Sequence, residues 1–167
     1  MITPSRPPAA VCAVVAWVFA ALLAFPQEGH GCFGARLRVG VPPESGLALA
    51  AYAAGYYVEE KTGISPDFVA VEADGAAALA RGDVDLLLVR EAPAPDGSVV
   101  RPAGDVPGVG PCRFWIREDV LDDLRFSTVD RALGNIPRFY GSEAFSRAAA
   151  SREPARKAAR QAVHRGS

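Results

Sequence analysis

Short β-type runs alternate with helical stretches over residues 36–89, and this order constrains the fold more than any other feature of the chain. Arg36–Val41 (RLRVGV) is partly β-branched and ends at two prolines, which predicts a first strand. Residues 46–61 carry apolar side chains at helical spacing, which predicts a long helix. Ser65–Ala73 (SPDFVAVEA) then predicts a second strand.

The alternation continues with a short helix over Ala76–Arg81 and the nearly all-apolar run Val84–Val89 (VDLLLV). Such a run is typical of a central strand that is covered on both faces. The order β-α-β-α-β with short connections predicts an α/β fold, built on a small, open, mostly parallel sheet flanked by helices.

The pattern is weaker in the second half. Residues 91–111 contain five prolines and four glycines, which predicts a long exposed loop. Cys112–Arg117 predicts a fourth strand, and Ile136–Tyr140 (IPRFY) predicts an irregular fifth strand at a sheet edge. A final helix is expected from Ser142 towards residue 161, with a break at Pro154.

Residues 1–34 have the features of a secretory signal peptide. Arg6 gives a positive start, and Ala9–Phe25 contains no charged residue. The apolar run is also compatible with an uncleaved N-terminal anchor. Either alternative predicts that residues 35–146, an α/β domain, work in the periplasm or outside the cell.

The net charge of −1 is unevenly distributed. Residues 36–146 carry 11 basic and 17 acidic side chains, whereas residues 147–167 carry six basic side chains and one acidic. An acidic body argues against nucleic-acid binding, which needs a positive face. The basic helical tail is expected either to contact an anionic surface or simply to be solvated.

The histidines and cysteines argue against an enzyme. His30 and His164 lie near the two ends of the chain, and no metal-ligand motif or phosphate-binding glycine loop is present. We therefore predict no catalytic residue, no metal site and no cofactor. Cys32 and Cys112 could form one disulfide if the signal peptide is cleaved before Cys32.

Polar residues follow the predicted strands, at the edge where open α/β sheets bind ligands. Ser45 and the first N–H groups of its helix could bind an anion, and Ser142 could offer a second anion site. Four carboxylates at this edge would instead favour a cationic group. The predicted ligand-binding residues are Glu44, Ser45, Glu72, Asp74, Glu91 and Ser142.

Each of these features also has a purely structural interpretation. Ser45 and Ser142 could be helix N-caps, and the carboxylates could be solvated loop charges. Three tyrosines, Tyr52, Tyr56 and Tyr57, could hold a quaternary ammonium group, but their helical spacing favours a place in the core. Trp115 could stack on a ligand, but its strand position favours packing.

The order of segments resembles the first lobe of the type 2 periplasmic solute-binding proteins of ABC transporters. Leu37–Val41 is similar to the family's first strand, and the Ala/Tyr-rich helix ending at Gly63 resembles its first helix. Ala78–Asp85 (ALARGDVD) resembles its short helix, glycine and Val-Asp strand opening. Phe114–Asp119 and Tyr140–Ser142 resemble the strand leaving the first lobe and a junction in the second.

The resemblance implies an exported protein that binds a small polar solute for ABC-type transport or sensing, with a membrane permease or partner subunit. The chain ends where the family's second lobe would be built, so it could be a truncated product, a half that needs a partner, or a one-lobe relative. A homodimer is compatible with each. The alternative is a non-catalytic periplasmic interaction protein that has lost its ligand site.

Overall fold

Five strands form one open sheet in the computed structural model, which describes residues 34–72 and 75–166. The strands are β1 (Arg36–Val41), β2 (Ser65–Ala70), β3 (Leu86–Arg90), β4 (Ser98–Val106) and β5 (Gly110–Arg117). Their order across the sheet is β2-β1-β3-β5-β4. β1 runs parallel to β2 and β3, and β5 runs antiparallel to β3 and β4. The predicted α/β fold with an open sheet is thus confirmed, and the sheet is mixed.

Seven α-helices and one 3-10 turn complete the described part of the chain. The long helix is α1 (Ser45–Thr62), and the short ones are α2 (Gly75–Ala80), α3 (Glu118–Asp122), α4 (Val129–Gly134) and α5 (Ile136–Tyr140). The last two are α6 (Glu143–Ala149) and α7 (Ala155–Gly166), and the 3-10 turn is Leu124–Phe126. The expected break of the last helix near Pro154 is therefore confirmed. No described helix is long and apolar enough to cross a lipid bilayer.

The predicted loop over residues 91–111 is wrong, because its second half is strand β4 and the turn into β5. Proline is tolerated in β4 because this strand lies at the edge of the sheet, where Pro102 need not donate to a neighbour. The pairing of β4 with β5 shifts register between Pro102 and Gly104, which forms a β-bulge at this irregular point of the strand. Antiparallel pairing with β5 therefore holds a segment that its own sequence does not predict as a strand.

The predicted fifth strand over Ile136–Tyr140 is also wrong, because this segment is helix α5. Pro137 lies in the first turn of that helix, where no backbone N–H is needed for the helical hydrogen bonds. Ile136, Phe139 and Tyr140 are buried, as the three- and four-residue spacing of a helix allows.

The two faces of the sheet are covered unequally. α1, α4, α5, α6 and α7 belong to the larger core, which includes Leu37, Leu86 and Phe114. On the other face α2 supplies Ala78 and Leu79 to a small cluster around Leu87 and Trp115. The long helix α1 therefore lies in the thicker layer.

The C-terminal helix α7 packs against α1 through small side chains. Ala158, Ala159, Ala162 and Val163 are all at most 4% exposed. Small side chains allow two helices to approach closely, so alanines suffice here. Leu124 is the large hydrophobic side chain that remains exposed in the described part of the chain.

The aromatic residues lie where the structural interpretation placed them. Tyr56 and Tyr57 are at most 9% exposed, and Tyr52 is half-buried and meets Phe68 edge to face. Trp115 is 5% exposed and packs in the smaller cluster. The predicted signal peptide, apart from Gly34, lies outside the described residues, as do Cys32 and Asp74.

Candidate functional site

The start of α1 lies beyond the carboxyl end of β1, where Pro42 and Pro43 lead out of the strand. Glu44 is the N-cap residue, with extended backbone angles (φ −70°, ψ 122°), and its carbonyl accepts a hydrogen bond from the Ala48 N–H at 2.8 Å. No side chain in the described residues caps this helix. The prediction of Ser45 as N-cap is therefore wrong, because the last extended residue is Glu44 and Ser45 is already helical.

A groove of about 360 Å³ opens at this helix start. One side is the first turn of α1, another is the turn between β4 and β5, and the third is the link between α6 and α7. Its lining residues are Glu44, Ser45, Gly46, Leu49, Pro107, Gly108, Phe145, Ala148, Ala149, Ser151, Glu153, Ala155 and Ala158. We refer to it as the strand-end groove.

Both carboxylates of the strand-end groove have a basic partner. Glu44 pairs with Arg90, the last residue of β3. Glu153 pairs with Lys157 at 3.0 Å, one turn along the chain. Each carboxylate still has lone pairs for a further donor, so the groove offers acceptors beside the N–H donors of the α1 terminus.

Two of the six predicted site residues, Glu44 and Ser45, come together in this groove. Glu91 lies outside it and pairs with Arg113 at 3.1 Å, while Glu72 is exposed after β2. Ser142 accepts a hydrogen bond from the Phe145 N–H at 3.2 Å, so it is the N-cap of α6 rather than a free donor. Of the carboxylates expected at this edge, Glu44 is the one within the described residues that lines the groove.

The sequence reasoning missed Ser151 and Glu153, which line the strand-end groove from the α6–α7 link. They lie more than 100 residues after Ser45 along the chain, and no local pattern relates the two segments. The only available signal was the break at Pro154, which marks a turn that brings polar residues to the surface.

No family model, curated protein or solved structure matches this chain. What the site does must therefore be argued from its own geometry.

Cys112 and Tyr140 are buried groups with structural roles. Burial raises the pKa of the Cys112 thiol to about 11, and its Sγ donates to the Gly110 carbonyl at 3.4 Å. Burial also raises the pKa of Tyr140 well above its ordinary value, and its hydroxyl donates to the Ala50 carbonyl at 2.8 Å. A thiol with a raised pKa stays protonated at neutral pH, so Cys112 is a poor nucleophile.

The opposite edge of the sheet carries an ion-pair cluster around Asp85. Its carboxylate accepts from the Arg38 backbone N–H at 2.9 Å and from the Arg38 Nη2 at 2.7 Å, and Arg117 Nη1 lies 3.6 Å away. Arg117 also pairs with Asp119. Because these charges satisfy one another, the cluster ties β1, β3 and β5 together and is better explained as a structural element than as a ligand site.

Proposed function

We propose that the chain is an exported, non-catalytic binding module that recognises a small polar solute in the strand-end groove, for transport or sensing. The observation that carries the proposal is the start of α1, which no described side chain caps and which opens into a groove that also contains two carboxylates. The resemblance to periplasmic solute-binding proteins supports the same function from the order of the segments.

The donors in the groove favour an anionic group on the solute. The first N–H groups of a helix have no acceptor within the helix, and the helix dipole gives that end a partial positive charge. At α1 these groups belong to the turn that includes Ser45 and Gly46, and the Ser45 hydroxyl is exposed beside them. A carboxylate or phosphate could accept from both.

The carboxylates favour a cationic group on the same solute. Glu44 and Glu153 both line the groove, and each is partly exposed and held by one basic side chain. A solute with both charges, such as an amino acid or a betaine, would match donors and acceptors together. A volume of about 360 Å³ suits a ligand of this size, because it lies at the lower end of small-molecule sites.

The proposal is tested by thermal unfolding of the chain from Gly34 onward, screened against amino acids, betaines, polyamines and oxyanions. A ligand that binds only the folded state stabilises it, by about 2.7 kcal/mol at a hundredfold excess over its dissociation constant. A raised midpoint with zwitterions is the expected result. A cooperative transition that no compound shifts would contradict solute binding.

A matched pair of variants locates the site. Ala149→Trp should fill the groove and abolish the ligand-induced shift, because Ala149 lines it. Ala150→Trp places the same side chain on the adjacent exposed residue, which does not line the groove, and should leave the shift unchanged. Equal shifts in both variants would place the ligand elsewhere.

The alternative function is a non-catalytic interaction protein in which the ligand site is lost. The observation in its favour is that Glu44 and Glu91, two of the expected ligand-binding carboxylates, already pair with Arg90 and Arg113. The screen separates the two functions, because an interaction protein would unfold cooperatively and show no solute-dependent shift.

Export is tested separately by cell fractionation of the full chain and of a chain that begins at Gly34. The full chain should reach the periplasm or the membrane, and the shortened chain should stay in the cytoplasm. A full chain recovered in the cytoplasm would contradict the exported part of the proposal and leave the solute test unaffected.

A further inference from the structure

A second groove, of about 510 Å³, lies between α1 and α7. Tyr56 and Val163 are its buried lining residues, and the small residues Ala158, Ala159 and Ala162 let the two helices approach closely beside it. The lining residues are Tyr56, Glu59, Glu60, Lys157, Arg160, Gln161, Val163 and His164. We refer to it as the α1–α7 groove, and it shares no lining residue with the strand-end groove.

The two walls of the α1–α7 groove have opposite charge. α1 contributes the carboxylates of Glu59 and Glu60, and α7 contributes the basic side chains of Lys157 and Arg160. Long, exposed side chains thus form a basic wall that faces an acidic one across a partly apolar floor.

Only part of this charge is paired within the described residues. The Glu60–Lys61 pair spans 3.5 Å and the Lys157–Glu153 pair 3.0 Å, and exposed pairs of this kind stabilise a protein only slightly. Among the described residues Glu59 and Arg160 form no ion pair, and the Arg160 guanidinium lies over the Tyr56 ring, 5.2 Å from its centroid. The walls therefore keep charge available for a partner.

A two-fold axis makes such a groove complementary to itself. In an isologous dimer each contact occurs twice, so the acidic wall of one copy meets the basic wall of the other on both sides of the axis. In such a dimer the floor of the groove, which Tyr56 and Val163 line, would face the axis, and the charged walls would surround it. We propose that the α1–α7 groove is the interface of a homodimer, with a second copy of this chain as its occupant.

The test measures the oligomeric state of the full chain by sedimentation velocity, purified in a mild detergent from a host that exports it. The wild-type chain should form a concentration-dependent dimer. An acidic-wall variant (Glu59→Lys with Glu60→Lys) and a basic-wall variant (Lys157→Glu with Arg160→Glu) should each raise the dissociation constant at least about tenfold, because like charges then face each other.

Mixing the two wall variants is the decisive experiment, because it tests whether the walls pair with each other. Each variant alone has two walls of the same sign, whereas an equimolar mixture again offers opposite walls to each other. The mixture should therefore form dimers that neither variant forms alone. A control variant, Arg131→Glu with Arg138→Glu, changes the net charge by the same amount as the basic-wall variant at exposed residues on α4 and α5, and should dimerise like the wild type.

Three results would overturn the proposal. The wild-type chain could remain monomeric up to about 1 mM. Its affinity for a second copy would then be too low for a specific dimer. The wall variants could dimerise as well as the control, which would place the interface elsewhere. Both variants could lose the dimer without recovery on mixing, although circular dichroism shows them folded, which would exclude the pairing of the walls. None of these results bears on solute binding in the strand-end groove.

Discussion

Asp85 is the charged residue that the fold buries, at 4% exposure, within the described part of the chain. Its carboxylate is compensated by two hydrogen bonds from the Arg38 side chain and one from the Arg38 backbone N–H. The hydrogen bonds to Asp85 hold the pKa of Arg38 above its ordinary value. A buried carboxylate is tolerated when it is paired and hydrogen-bonded in this way, and its removal leaves the partners unsatisfied.

Replacing Asp85 with alanine should therefore lower the free energy of unfolding by about 2 to 4 kcal/mol, since a partly buried pair loses one member. Asp83→Ala is the matched control, because Asp83 pairs with Arg81 at 2.9 Å on an exposed surface. That variant should change stability by less than about 0.5 kcal/mol. Urea unfolding monitored by circular dichroism measures both, and equal losses would contradict a structural role for Asp85.

Cys112 should make stability depend on alkaline pH. Burial raises the pKa of its thiol from 9.0 to about 11, so between these values the unfolded chain loses a proton that the folded chain keeps. The contribution of the Cys112 thiol to the free energy of unfolding is thus fully present below pH 9 and is lost as the pH rises towards 11. Relative to Cys112→Ala, the wild type should lose roughly 1 kcal/mol between pH 8 and pH 10. Parallel pH profiles of the two proteins in urea unfolding would contradict this prediction.

Among the secondary-structure elements, the edge strand β4 depends most on contacts from outside its own sequence. Gly104 follows the register shift in β4 and has φ of +84°, which strongly favours glycine. A Cβ at this position would lie 2.9 Å from the Pro137 Cβ of α5. The bulge of β4 therefore packs closely against the first turn of α5, with no room for a side chain at Gly104.

Gly104→Ala should destabilise the fold more than Gly108→Ala. Both glycines have positive φ, but a Cβ at Gly108 would meet nothing within 4 Å. Gly108→Ala should lower the free energy of unfolding by about 1 kcal/mol through backbone strain. Gly104→Ala should lower it by about 1 to 2 kcal/mol more, because Pro137 must also move. Thermal unfolding of both variants measures the difference. Equal losses would mean that α5 does not pack tightly against β4.

Elements with a strong local pattern could be predicted from the sequence, whereas those that depend on contacts with other elements could not. The predicted long helix and the third strand differ from α1 and β3 by one or two residues at each end, because their periodicity and composition are decisive over short windows. β4 was missed because Pro102 and Gly104 are typical of loops, and its extended conformation depends on pairing with β5. α5 has five residues, too few to distinguish a helical from a strand pattern.

Part of the candidate site could likewise be predicted, namely the residues that follow a strand end. Glu44 and Ser45 follow β1 after two prolines, so the rule that ligands bind beyond strand ends pointed to them, and both line the groove. Glu91 was placed at the same edge, but the sequence does not reveal that Arg113 of β5 pairs with it. Ser151 and Glu153 depend on how α6 and α7 fold back onto α1, which only tertiary packing determines.

At the scale of the whole molecule, the two cores share the central strands of one sheet. Along β3 the side chains alternate between them, with Leu86 and Leu88 in the larger core and Leu87 in the smaller cluster. β5 repeats this with Phe114 and Ile116 on one face and Trp115 on the other. Loss of β3 or β5 would therefore remove both cores together, which couples the thick helical layer to the thinner face covered by α2.

This coupling predicts one cooperative transition for the chain from Gly34 onward, a unit that is compact by itself. Trp115 is the only tryptophan in that segment, so its fluorescence reports on the smaller cluster, whereas far-ultraviolet circular dichroism reports mainly on the helical layer. The two urea midpoints should coincide, as for a two-state domain. A lower fluorescence midpoint would contradict the coupling and would show that the face under α2 opens while the helices remain folded. Leu87→Ala offers an internal check, because it should shift both midpoints equally although Leu87 packs on one face alone.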